Sequence, residues 1–239
     1  MTAATPPSSG QYALAGPGRV HDRRVTPIRG DLADIALAGR LFVPHYVVPL
    51  EKAVSAAFAP LHATPRDDAE QTSELLRGER FLVLEIAGST AWGYCAHDRY
   101  VGYLRLADLG EPVAIPPPPP PDGTEPAASA ENLVGTPYVW GGRGGEGVDC
   151  SGMIQTIFAR AGHALPRDSD QQAASAGTLL GADDPLARGD LVFFPGHVGI
   201  LRDPGTLIHA SLERGRVVVE QLAEVIDRKG PVSTVRRVG

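Results

Sequence analysis

Apolar positions along this chain change period twice. Between residues 43 and 109 the apolar runs are short and often broken. FLVLEI (81–86) lies between Gly78 and Gly88, and AWGYC (91–95) and YVGYL (100–104) flank a tight turn at 97–99. Short strands at this spacing predict a small β-barrel. Further on, Met153, Ile154, Ile157, Phe158 and Ala161 recur at helical spacing, and Gly162 stands where a helix would stop. DSDQ (168–171) has capping-box form and predicts a second short helix. From RGD (188–190) onward the pattern turns to strands, over 191–194, 197–201, 207–210 and 216–220, with a DPG turn at 203–205. Helices followed by antiparallel strands make an α+β unit. Near the other end, DLADIALAG (31–39) predicts a short helix capped by Asp31, with Leu32, Ile35 and Ala36 on one face and Gly39 at its end.

These changes divide the chain into four parts. Residues 1–42 form an N-terminal extension with one short helix. Its first 20 residues are rich in Ala, Pro, Ser and Gly and are expected to be disordered. The barrel occupies 43–110, a proline-rich linker 111–128, and the α+β unit 129–239. Six consecutive prolines (116–121) favour polyproline II and would span roughly 19 Å, at about 3.1 Å per residue.

The 239 residues suffice for one large domain or two small ones, and 43% hydrophobic with 21% charged residues is ordinary for a globular protein. A net charge of −6 argues against nucleic acid as a partner. The opening residues lack the charged start and apolar core of a secretory leader, and no run of 18 apolar residues predicts a membrane span, so a cytoplasmic protein is expected. Cys95 and Cys150 lie in different segments, which speaks against a disulfide framework.

The chemistry centres on residues 135–152, GTPYVWGGRGGEGVDCSG. Cys150 follows a polar, glycine-rich approach and opens a helix-patterned run. Unpaired amides and the macrodipole at a helix start favour a thiolate, and a nearby imidazole assists as ion-pair partner or as the base that takes the proton. His197 and His209 lie on strands. Alternation puts His197 on a face with Gly199, with Val198 and Ile200 opposite, and sets His209 against Ile208 and Ala210. Two adjacent antiparallel strands would bring the rings together, His197 as general base and acid and His209 orienting it. No CxxC, HxxxH or HExxH spacing suggests zinc, and the glycines lack the GK[ST] ending of a phosphate loop, so no metal or cofactor is expected. Cys95 and His21, His45, His62, His97 and His163 read as structural.

TPYVWGG (136–142), DCSG (149–152), RGDLVFF (188–194), HVGI (197–200) and IHA (208–210) resemble, in order and spacing, the NlpC/P60 cysteine peptidases over about residues 130–228. That resemblance implies a papain-like α+β catalytic domain with Cys150 as nucleophile, His197 as base and His209 as the third residue. Tyr138 matches a family tyrosine that assists the oxyanion site, where the Cys150 amide is a second candidate. EQTSELLRGE (70–79), Trp92 and DRYVGY (98–103) are similar to a bacterial SH3 (SH3b) domain, with Tyr103 where tryptophan is common. The tandem resembles the γ-D-glutamyl-L-diamino-acid peptidases of cell-wall peptide recycling. In those the SH3b domain closes one end of the cleft, so that only murein peptides with a free N-terminal L-Ala fit, ahead of meso-diaminopimelate or lysine. The resemblance suggests Glu70 with Asp149 or Asp168 as counter-ions for the substrate ammonium, Ser151 and Ser169 as hydrogen-bonding groups, and Tyr100 packing on the Ala-Glu backbone. Asp149 and Asp168 also sit where helix caps would. The competing readings are an endopeptidase on intact peptidoglycan and a non-catalytic SH3b adaptor.

Overall fold

The computed structural model describes residues 21–66 and 68–239; the expectation of disorder over 1–20 lies outside them. The chain opens with β1 (Leu32–Asp34) and β2 (His45–Val47), paired in parallel. The sheet of the first unit follows: β3 (Leu50–Val54), β4 (Phe58–His62), β5 (Gln71–Leu76), β6 (Arg80–Ala87), β7 (Thr90–Cys95), β8 (Val101–Arg105) and β9 (Leu109–Gly110). Their order is β5-β4-β8-β7-β6-β3-β9, antiparallel throughout. One core holds Val54 of β3, Leu61 of β4, Leu75 of β5, Phe81 of β6, Ala91 of β7 and Leu104 of β8, so the sheet curls around it.

Residues 31–39 are not an α-helix. Leu32, Ala33 and Asp34 are all buried, as an extended segment held between two surfaces allows and a one-faced surface helix does not. Leu32 packs on Leu84, Trp92 and Tyr94 of the curled sheet. Only a 3₁₀ turn, Ile35–Leu37, follows, capped by Asp34 through the Ala36 amide at 2.8 Å. Asp31 pairs with Arg29 instead. Because β2 belongs with β1, the large sheet starts at Leu50, later than the boundary expected at residue 43.

The proline segment is fastened at both ends. Arg80 donates to the carbonyls of Pro112 and Ile115, and the amides of Asp122 and Gly123 bond the Arg160 carbonyl. The helix α1 (Pro126–Asn132) starts three residues ahead of the expected boundary at 129. Glu125 caps it through the Ala127 and Ala128 amides, with Pro126 at its first position.

The second unit continues with α2 (Cys150–Arg160), α3 (Ser169–Ser175), β10 (Thr178–Leu179), β11 (Leu191–Phe194), β12 (His197–Asp203), β13 (Thr206–Ser211), β14 (Arg216–Gln221), α4 (Leu222–Lys229) and β15 (Thr234–Arg237). The six strands form one antiparallel sheet, β10-β15-β11-β12-β13-β14. Alternation sorts it into two cores. Leu191, Phe193, Val198, Ile200, Ile208 and Ala210 face α1 and α2, while Val192, Phe194, Leu201 and Leu207 face Leu222 and Val225 of α4. No helix among the described residues is long and apolar enough to cross a membrane.

The glycine-rich loop before α2 joins the two units. Arg143, 3% exposed, donates to Glu79 at 2.7 and 3.0 Å and to the Glu74 carbonyl at 2.8 Å. The Glu74 carboxylate accepts the Arg143 and Gly145 amides. Gly141 has φ +75°, and a Cβ there would meet Gln71 of β5 at 2.7–2.8 Å, so the approach of loop backbone to strand backbone requires glycine.

Candidate active site

Cys150 is the first residue of α2. Asp149 caps the helix, its Oδ1 accepting the Gly152 amide at 2.7 Å and its Oδ2 the Gly141 amide at 2.9 Å. Arg167, 1% exposed, grips the same carboxylate through both terminal nitrogens, at 3.0 and 2.6 Å. It also reaches Ser151 Oγ at 2.9 Å and, across the unit boundary, Ser73 Oγ at 3.1 Å. Asp149 therefore has no acceptor site left for a substrate ammonium, and its place in the expected counter-ion pair is corrected to that of cap and Arg167 partner. Ser151, buried at 6% exposure, is likewise engaged by Arg167 and Asp149.

The thiol is not poised as a thiolate. Burial pushes it up to about 11, and the charge of Asp149 adds to the rise; the amides of Val198 and Ser151 and the Arg167 guanidinium oppose it without winning. Helix-start stabilisation is thus outweighed by desolvation. Burial together with His209 pulls His197 down to about 3. Both shifts favour the neutral forms, the direction that suits a base taking the proton.

His197 opens β12. Gly196 before it lines the pocket that holds Cys150. The two histidines do meet: His197 Nε2 lies 2.8 Å from His209 Nδ1, with ring centroids 4.9 Å apart and planes near perpendicular. Gly199 makes room for this, since a Cβ there would stand 3.0 Å from His209 Cβ and closer still to Leu207. With Nε2 engaged, Nδ1 is the His197 nitrogen left for the thiol. His209 Nε2 in turn lies 2.9 Å from Glu220 Oε2.

A pocket of about 290 Å3 opens on Cys150, at the small end of the roughly 300–1,000 Å3 usual for small-molecule sites. The second unit contributes Tyr138, Trp140, Asp149, Ser151, Arg167, Asp168, Ser169 and Asp170, and the first unit contributes Thr72 of β5 with Glu70 and Tyr100, which stand just before β5 and β8. Four carboxylates against two guanidiniums leave the pocket acidic. Glu70 is exposed and makes no ion pair among the described residues. Tyr100, 5% exposed, donates its hydroxyl to Asp168 at 3.0 Å. Tyr138 is held above the usual phenol range by burial and by the neighbouring Cys150 and Asp149. Ser169 starts α3 and lines the pocket.

The capping box expected over 168–171 does not form. Asp168 makes no side-chain cap bond, and Gln171 reaches Asp22 instead. The Asp168 carboxylate is taken by Tyr100 and by Arg24, at 2.8 Å. Burial raises Asp168 while Tyr100, Arg167 and Arg24 oppose that rise. Arg24 also binds Asp22 and Asp170, so the N-terminal segment reaches the pocket wall. Sequence reasoning missed Arg24, Arg143, Arg167 and Glu220. Only Glu220 had a local signal, an acid on the face of β14 that carries Val218. Among the described residues no three His, Cys, Asp or Glu are grouped to hold a metal ion.

Residues 135–236 match the NlpC/P60 family and residues 61–109 the bacterial dipeptidyl-peptidase SH3 domain. The chain is 38% identical over 113 residues to a γ-D-glutamyl-L-lysine dipeptidyl-peptidase of Bacillus subtilis, an alignment covering 44% of this chain and 37% of that protein. It is 35% identical over 131 residues to a probable endopeptidase of Mycobacterium bovis, covering 54% and 32%. The chain spans about a third of the length of these relatives. A solved NlpC/P60 family protein from Bacillus cereus superposes with a TM-score of 0.45 at 24% identity, over 78% of this chain and 62% of that one. The chain carries an NlpC/P60 domain with a bacterial dipeptidyl-peptidase SH3 domain ahead of it.

Proposed function

We propose that this chain is a cysteine peptidase that cuts the γ-D-glutamyl–diamino-acid bond of murein-derived peptides bearing a free N-terminal L-Ala. The observation that carries the reading is the composite pocket. Glu70, Thr72 and Tyr100 of the SH3 unit line the same pocket as Cys150, which supports a cleft bounded on one side by acidic and aromatic groups. A buried ammonium needs a paired carboxylate, and the excess of acids here supplies one. Glu70 is the counter-ion, with Asp168, whose charge Arg24 already shares, beside it; Ser169 hydrogen-bonds the dipeptide, and Ser151 lines the pocket. The name of the Bacillus subtilis relative points to the same bond.

The chemistry follows from the neutral resting pair. His197 Nδ1 takes the thiol proton as Cys150 Sγ attacks the γ-carbonyl carbon. The Cys150 amide and the Tyr138 hydroxyl face the developing oxyanion. His197 returns the proton to the departing amine of the diamino acid, and water then hydrolyses the thioacyl enzyme with His197 again as base.

The test compares L-Ala-γ-D-Glu-meso-diaminopimelate, its lysine analogue and the N-acetylated peptide, with native protein and with Cys150→Ala. Cleavage of the free-amine peptides alone, lost in the variant, is expected. Equal cleavage of the acetylated peptide would favour an endopeptidase on longer wall chains. No cleavage of any peptide would favour a binding role for the tandem.

A further inference from the structure

Glu220 stands behind the histidine pair, outside the pocket. It is the penultimate residue of β14, where the antiparallel register places it opposite Leu207 and His209 opposite Val218. Glu220 and His209 are thus diagonal neighbours on the sheet face covered by α4. Glu220 Oε2 lies 2.9 Å from His209 Nε2 and accepts from Arg228 at 2.6 Å, while Oε1 accepts from Arg214 at 2.9 Å. Its side chain is 8% exposed. The other charges about the pair are Glu213, after β13, and Lys229 of α4, which bond each other at 2.7 Å.

We infer that Glu220 is a positioning residue that sets the tautomers of both histidines and thereby leaves Nδ1 as the accepting nitrogen of His197. This rests on the cysteine-peptidase reading. The two guanidiniums hold Glu220 down at about 2, against its burial, so it is ionised and can only accept. His209 Nε2 must therefore carry a hydrogen. Burial keeps His209 neutral, its ordinary value lowered despite the pull of Glu220. A neutral imidazole with its hydrogen on Nε2 has its lone pair on Nδ1. Across the 2.8 Å contact His197 Nε2 must then donate, and His197 Nδ1 is left as the acceptor.

Without Glu220, His209 is free to take the other tautomer. It would donate from Nδ1 to His197 Nε2, and the His197 proton would move to Nδ1. A ring protonated there cannot take the proton of a thiol. The phrase "third residue" for His209 therefore describes half of a device: the ring transmits an assignment that an acid two strands from His197 makes.

The test uses the full chain labelled with ¹⁵N-histidine. Long-range ¹H–¹⁵N correlation at pH 7–8 should show both rings as Nε2–H tautomers in the native protein; an Nδ1–H ring at either position overturns the inference without any variant. Glu220→Leu should give a mixed tautomer at His209. In a serine-protease triad, losing the acid that fixes the base's tautomer costs about 10⁴ in kcat. Glu220 acts through one more ring, so Glu220→Leu is expected to slow iodoacetamide alkylation of Cys150 about 10–100-fold. Glu220→Gln, whose carbonyl still accepts from Nε2–H, should restore the tautomer and most of the rate. Unchanged tautomers and alkylation in Glu220→Leu would overturn the inference. Both readouts are independent of peptide, so failure to cleave murein peptides would sink the proposed substrate and leave this assignment standing.

Discussion

Replacing Arg167 with methionine is expected to destabilise the protein more than any surface change. The side chain is 1% exposed and its partner Asp149 is 9% exposed, with two charge-assisted hydrogen bonds between them. Methionine has similar length but leaves the Asp149 carboxylate buried without a cation. Breaking a buried pair from one side costs about 3–5 kcal/mol. In a protein of this size each kcal/mol moves the melting temperature by about 2–4 °C, so a fall of about 6–20 °C is expected. The fall should be seen by circular dichroism and by calorimetry. Arg167→Lys keeps the charge but not the fork that spans Asp149, Ser151 and Ser73, and should fall in between. Adding Asp149→Asn to Arg167→Met removes the stranded charge and should recover part of the loss, with a coupling energy of about 0.5–3 kcal/mol. A melting temperature for Arg167→Met within about 2 °C of native, or strictly additive effects in the double variant, would refute the account of Arg167 as the ion that holds the nucleophile's cap.

Three further outcomes are expected. His197 titrates near 3 in the fold and near 6.5 in an unfolded chain, so the unfolded state binds more protons between those values. Stability should rise with pH across that window, and be lost on acidification through it, at up to about 1.4 kcal/mol per unit for this group, and His197→Gln should flatten the pH dependence of the urea midpoint. Arg143→Ala leaves Glu79 buried and unpaired between the units, and should raise KM for the free-amine peptide and erode discrimination against the acetylated one; unchanged KM and discrimination would count against the loop as the fastener of the pocket. Arg24→Ala removes a cation that opposes the upward shift of Asp168. The low-pH rise in KM should then begin at a higher pH, and profiles that coincide would exclude Arg24 from tuning this carboxylate.

How far the chain could be read from its residues depended on sequence distance. The helix α2 and the strands β11–β14 follow from apolar periods of 3.6 and 2, and the Asp149 cap is local. The His197–His209 meeting was legible because alternation and a short turn fix it within 12 residues. The helix expected over 31–39 failed because its residues pair with 45–47 and pack on Leu84 and Trp92, contacts no local pattern carries. The capping box at Asp168 failed for a like reason, its carboxylate being claimed by Tyr100 and by Arg24, 68 and 144 residues away in sequence. Arg143 and Arg167 look like surface residues in the sequence, since only tertiary pairing makes their burial tolerable. The sequence left the thiol's resting state open between ion pair and neutral pair, because helix position is visible in sequence whereas desolvation is not.

The loop that carries Arg143 has two attachments separated by only a few residues. One end is clamped to the SH3 unit through Glu74 and Glu79; the other, through Gly141 and Asp149, is the collar around the start of α2. A modular swap at the proline segment would therefore not exchange a specificity unit for another on an indifferent catalyst. It would unseat the collar as well, and a chimaera with a foreign barrel should lose turnover together with selectivity unless Glu74 and Glu79 are transplanted with it. The composition of the pocket and the seating of Cys150 are in this sense one inherited trait, carried by a single loop.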